Sequence, residues 1–178
     1  MDAFEEIITA LFEQEGYWTL RNCMVDLSKE QKRELKNPSM PRPEIDIVAY
    51  KPRNNELVLI ECKSYLDSAG VRLISVMPDV ESGRKIKLFA DSLYRQRVTE
   101  EFVKQAKVSG LLLSDPSVQY CLVAGNIYPL DRESLRDHFQ KQGWLLYDPE
   151  WIKDQLNNIA KIGYKNSLAV MMAKLLLN

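Results

Sequence analysis

Three ionisable side chains stand where apolar strands usually exclude them. Asp46 lies in the run Pro43-Glu44-Ile45-Asp46-Ile47-Val48, and Glu61 and Lys63 close the run Val58-Leu59-Ile60-Glu61-Cys62-Lys63. Two carboxylates and an ammonium brought together have a definite chemical use. Hard oxygen ligands suit Mg²⁺, which takes one or two protein carboxylates and fills its shell with waters and substrate phosphate oxygens. Such an ion polarises a phosphoryl group and offsets developing charge. A nearby ammonium can orient the attacking water or stabilise the transition state. The bland counterpart is a wet sheet face carrying a cross-strand ion pair of little energetic weight.

Whether the trio converges depends on the elements that carry it. Residues 45–50 and 57–62 are rich in branched apolar side chains and flank Lys51-Pro52-Arg53-Asn54-Asn55-Glu56, a strong turn signal, so they predict a hairpin. Strand side chains alternate faces, which puts Glu61 and Lys63 on one side and turns Cys62 toward the core. Directly opposed residues of antiparallel strands point the same way. A turn centred on Arg53 and Asn54 therefore places Asp46 opposite Glu61, whereas an odd-length turn or a bulge would separate them.

Around the hairpin, residues 2–15 predict an amphipathic helix with Phe4, Ile7, Ile8, Leu11 and Phe12 on one face, ended by Gly16. A strand over 17–25 follows, then a charged turn or short helix over 29–36 and a Pro-broken loop. Beyond an irregular stretch over 67–80, residues 82–107 read as mostly helical and 118–123 as a buried strand. A helix over 131–141 stops at Gly143, a short strand over 144–147 leads into a helix over 149–160, and Asn166 is placed to cap a last helix ending at Leu177. The order is α-β-β-β-α-β-α-β-α-α. It predicts a mixed α/β domain in which an antiparallel meander is crossed by the long helix.

Asp46, fourteen intervening residues and Glu61-Cys62-Lys63 resemble the D-(x)n-(D/E)-x-K signature of the PD-(D/E)XK nuclease superfamily, which includes restriction endonucleases and Holliday-junction resolvases. Phe4-Glu5 followed by Gly16-Tyr17 is similar to the FE…GY pattern of type IV restriction-like members. The resemblance implies a restriction endonuclease-like αβββαβ core over about residues 1–125, with residues 126–178 as a strand and helical extension of one domain. It implies a Mg²⁺- or Mn²⁺-dependent nuclease, acting on DNA, in which Asp46, Glu61 and the Cys62 main-chain carbonyl hold the metal. Lys63 is then the catalytic lysine and Glu5 an outer acid working through water. The pattern departs at its proline: Glu44 stands ahead of Asp46, with Pro43 beside it. The competing class is a noncatalytic nucleic-acid or protein-binding module on the same fold, and Asp2-Ala-Phe-Glu5 has its own simple reading as a helix capping box.

The 178 residues suit one core, and 24 Lys and Arg against 25 Asp and Glu leave a net charge of −1. That excludes a generally basic nucleic-acid coat and leaves room for a local basic groove. Lys29, Lys32, Arg33, Lys36 and Arg42 precede the site, while Arg84, Lys85, Lys87, Arg95 and Arg97 follow it. Gln96 and Gln105 sit on the helix where some superfamily members place an active-site glutamine. His138 has no partner motif, and Trp18, Trp144 and Trp151 are expected in or near the core. Cys23, Cys62 and Cys121 show no metal spacing. With no leader-like start and no membrane-length apolar run, a reducing, cytoplasmic setting is expected. The apolar last helix, with Leu168, Met171, Met172, Leu175, Leu176 and Leu177, is expected to close the core or to join two copies in a homodimer.

Overall fold

The computed structural model describes residues 2–78, 85–163 and 167–177. Arg84, Asn166, the expected helix start at Ser82 and the side chains of Leu176 and Leu177 lie outside the described residues. The elements are α1 (Ala3–Gln14), β1 (Trp18–Met24), α2 (Lys29–Glu34), β2 (Glu44–Lys51), β3 (Glu56–Lys63), α3 (Lys87–Ala90), α4 (Ser92–Val108), β4 (Ser117–Ala124), α5 (Arg132–Gln142), β5 (Leu145–Tyr147), α6 (Pro149–Ala160) and α7 (Leu168–Leu177).

The strands form one mixed sheet in the order β1-β2-β3-β4-β5. The first three are antiparallel, as the short connections allow, while β4 runs parallel to β3 and β5 parallel to β4. Parallel neighbours need long crossovers. These are supplied by α3 with α4 and then by α5.

Strand alternation sorts the core into layers on the two faces. On one face Ile47, Ala49, Val58, Ile60, Cys62, Cys121 and Val123 meet Ile8, Leu11 and Phe12 of α1 together with apolar residues of α6 and α7. On the other, Val48, Leu57 and Leu59 meet Val98, Phe102 and Ala106 of α4. Leu122 and Ala124 continue that face under Leu88 and Phe89 of α3 and Leu135 and Phe139 of α5. Full burial of side chains such as Phe12, Phe139 and Leu59 contributes about 1.5–3 kcal/mol each, which fixes the strand register as firmly as any hydrogen bond. Asp148, buried although charged, caps α6 through the Trp151 N–H at 2.9 Å and pairs with Arg136 of α5.

Two expectations need correction. The long helix over 82–107 is broken: Asp91 is extended (φ −125°, ψ 104°), ends α3, and starts α4 by accepting the Tyr94 N–H at 2.9 Å. An aspartate free to cap competes with helix continuation. Trp18 is 71% exposed rather than core, because it opens the edge strand β1 and points away from the α1 layer. Trp144 and Trp151 pack against the core as expected.

Candidate active site

The β2–β3 connection is a four-residue turn, Pro52–Asn54 in 3-10 conformation followed by left-handed Asn55 (φ 47°). Being even, it sets Lys51 opposite Glu56 and Ile47 opposite Ile60. One step further along that register Asp46 faces Glu61. There the regular ladder gives way: the Asp46 carboxylate, through Oδ2, accepts the Cys62 N–H at 2.8 Å. On the other flank, β1 pairs Arg21 with Ile47 and Cys23 with Ile45, and Asn22 between them is left-handed (φ 52°). Asparagine tolerates that conformation better than most residues, and its side-chain amide donates to Glu44 at 2.8 Å. The sheet is therefore distorted on both sides of Asp46.

Lys63 Nζ lies 2.6 Å from Glu61 Oε1 and 3.9 Å from Asp46 Oδ2. All three side chains are only 18–24% exposed. Burial pushes the Asp46 carboxyl up, against the opposing pull of the Cys62 N–H and the Lys63 charge. Burial followed by the negative charge of Asp46 pushes Glu61 up too, although Lys63 opposes the shift. Burial by itself pulls the Lys63 ammonium down, but the charge and hydrogen bond of Glu61, with Asp46 behind them, outweigh it and hold the ammonium above its ordinary value. One cation thus faces two carboxylates that resist ionising together.

Glu5, on α1, feels the charges of this cluster. Its carboxyl is pushed up by burial and then by the charges of Asp46, Asp2 and Glu44, with Lys63 opposing. α1 packs on the opposite face of the sheet from the trio, and among the described residues Glu5 makes no hydrogen bond or ion pair with it. The capping-box alternative is half present: Asp2 caps α1 by accepting the Phe4 N–H at 2.8 Å, and among the described residues no return bond from Glu5 accompanies it.

Among the described residues no three His, Cys, Asp or Glu side chains gather as a metal group. The oxygens here that could hold a metal are two carboxylates and a main-chain carbonyl. A strand residue's N–H and C=O point to the same neighbour, so the Cys62 carbonyl faces β2 beyond the last ladder pair, beside Asp46. The Lys63 carbonyl faces the other way and accepts the Gly125 N–H at 2.8 Å. Hard oxygens with negative charge are the kind of donor that a small dication such as Mg²⁺ or Mn²⁺ takes. The Cys62 side chain is buried among the α1-face residues, and its thiol is pushed far up by burial.

Beside Glu61 opens a cleft of ≈ 210 Å³ lined by Glu44, Ile45, Lys85, Lys87, Leu88, Tyr94 and Val98. Of the expected basic residues, Lys85 and Lys87 are therefore at the site. Arg95 is structural: it donates to the Leu88 and Phe89 carbonyls at 3.0 and 3.1 Å and lies over the Trp144 ring. Arg97 pairs with Glu34 and Glu100, Arg42 with Asp26, and Arg33 with Glu30. Neither glutamine reaches the acids. Gln96 bonds Glu100, while Gln105 bonds Glu101 of its own helix and ties α4 to the Asp26 carbonyl. His138 packs edge-on to Trp144. The residue that sequence reasoning missed is Tyr94. Burial, then the charges of Glu61, Asp46 and Asp91, push its phenol up to about 12, because it lies within the field of the two acids. Asp91-Ser92 as a helix start would have been the signal for it.

The fold and site define a mixed α/β protein with a five-stranded sheet flanked by helices and an acid–lysine cluster at the end of its central hairpin. No family model matches the chain, and no curated protein matches it. A crystal structure of a protein of unknown function, AF1548, aligns with TM-score 0.47 at 14% identity, over 91% of this chain and 71% of that one. Among the described residues no helix is long and apolar enough to cross a membrane.

Proposed function

We propose that this chain is a metal-dependent nuclease of the PD-(D/E)XK kind, with a restriction endonuclease-like core, hydrolysing phosphodiester bonds in DNA. The observation that carries the reading is the half-buried convergence of Asp46, Glu61 and Lys63 on one sheet face, with both carboxyls pushed up rather than down. An ordinary ion pair holds its carboxylate down. Two acids kept uncomfortable as anions beside an open cleft are the mark of a site arranged for chemistry.

Hydrolysis forms a bond from a water oxygen to phosphorus and breaks one phosphorus–ester bond. The water gives up a proton and the leaving oxygen takes one up. Asp46, Glu61 and the Cys62 carbonyl would hold Mg²⁺ or Mn²⁺, which when bound polarises the phosphoryl group and offsets its charge. The Lys63 ammonium, held charged by Glu61, donates to a phosphoryl oxygen as negative charge builds there. Glu5, in the same field, orients water at the edge of the cluster.

The test is a cleavage panel of single-stranded, duplex and branched DNA and of RNA, with Mg²⁺, Mn²⁺ or chelator, alongside calorimetric titration of each ion. Metal-dependent cleavage lost in Asp46→Ala supports the reading. Wild-type protein that cleaves nothing and takes up no divalent ion overturns it, and DNA binding without cleavage would instead favour a noncatalytic module.

A further inference from the structure

The cleft beside Glu61 has a wall that the acid–lysine cluster does not use. Lys85 and Lys87 come from the segment that forms α3, and Tyr94 from the first turn of α4. Lys85 Nζ donates to the Met77 carbonyl at 3.2 Å and keeps two further protons to give, while Lys87 Nζ lies 5.7 Å from the Tyr94 ring centre. Among the described residues neither ammonium forms an ion pair, and the Tyr94 hydroxyl makes no hydrogen bond. Unpaired lysines are common on this chain, and what sets Lys85 and Lys87 apart is that both line one cleft beside Glu61, together with Tyr94.

The wall is also held in place. Arg95 clamps the end of α3 to α4 through the Leu88 and Phe89 carbonyls, and Asp91 fixes the turn that aims Tyr94. Leu88 and Val98 are buried beneath it. Donors mounted on a packed support lose little freedom when a ligand arrives, which favours a binding role. The cleft holds the volume of about seven waters, enough for a phosphate with its ester oxygens.

We propose that Lys85, Lys87 and Tyr94 form a phosphate-binding wall that grips the nucleic-acid backbone next to the bond held at Asp46 and Glu61. The two ammoniums neutralise backbone phosphates, and the Tyr94 hydroxyl donates to a phosphate oxygen. The wall makes no contact with a base edge, so it sets strand position without reading sequence. This inference takes its substrate class from the nuclease reading but is tested on binding, which needs no turnover.

The experiment measures fluorescence anisotropy of a labelled oligonucleotide with the full chain in chelator across a salt series, and cleavage in parallel. Lys85→Ala with Lys87→Ala should weaken binding and reduce the salt slope by about one for each lysine removed. Tyr94→Phe, which keeps the ring and its packing, should weaken binding roughly ten- to a hundred-fold, the worth of one hydrogen bond to a charged group, with the salt slope unchanged. Binding that both variants leave intact, or a wild-type chain that binds no oligonucleotide, overturns the wall. Binding that falls as expected in a chain that cleaves nothing upholds the wall and removes the nuclease reading. Cleavage that survives unaltered in all three substitutions does the reverse.

Discussion

At the scale of single residues, the trio should separate by role. Asp46→Ala and Glu61→Ala are expected to lose divalent-ion affinity together with cleavage, since a small hard cation has no ready substitute for a lost carboxylate. Lys63→Ala should slow cleavage roughly 10²–10³-fold while metal binding holds or tightens, because the two acids then lack their cation. Glu5→Ala, acting from the outer layer, should cost roughly ten-fold. Calorimetry and single-turnover rates on the four variants check all of this. A stability consequence has a definite sign. The folded-state Asp46 carboxyl is raised above its ordinary 3.8, so the native state holds a proton that the unfolded chain releases, and stability falls as pH climbs through that window. Asp46→Asn can still accept the Cys62 N–H, and should therefore raise the melting temperature at neutral pH, with the gain vanishing below about pH 3.8. Convergence of Asp46 with Glu61 was legible in the sequence because it needs only an even turn and strand alternation. Tyr94 was not, since no periodicity says which residue of a distant helix will reach over a sheet. Nor were left-handed Asn22 and the bond from Asp46 to the Cys62 amide, which arise where the regular ladder stops.

At the scale of elements, the meander, the crossover and every later helix and strand followed from apolar periodicity and turn residues, and the structure returns them to within a few residues. The break between α3 and α4 was lost because the apolar and charged pattern runs on across Asp91, whose capping role depends on local backbone competition. Trp18 misled for a related reason: a strand pattern does not tell an edge strand from a central one. The site's most exacting joint is between the ends of β3 and β4. A methyl group added at Gly125 would collide with the Ser64 carbonyl oxygen, against backbone that cannot step aside. Gly125→Ala should therefore force the strand ends apart, cost about 1–3 kcal/mol in denaturant melts, and reduce cleavage by moving neighbouring Lys63.

At the scale of the molecule, the net charge is near neutral, and the basic residues at the cleft are two lysines. DNA binding should weaken steeply with salt and discriminate little between sequences; affinity that stays flat from low to moderate salt would mean the lysines are ordinary surface. The last helix has two unlike faces. Ala169, Val170 and Ala173 are buried against the α1 layer, as core closure requires, while Leu168, Met171, Met172 and Leu175 are 41–80% exposed. The homodimer implied by the nuclease resemblance would use that face. Sedimentation velocity across a concentration series should then show association that Met171→Lys with Leu175→Lys removes, and a chain that stays monomeric throughout removes the idea.

The Cys62 amide proton is held by a side chain that can titrate and can be claimed by an ion, where its neighbours in the sheet are held by carbonyls that do neither. Its hydrogen–deuterium exchange is therefore a clock built into the backbone. Protonating Asp46, replacing it, or drawing its oxygens toward a divalent ion should each change how fast this one amide exchanges, while Ile60 two residues earlier keeps its protection. Such a signal would report on occupancy of the acid pair in a protein at rest, before any substrate has been chosen.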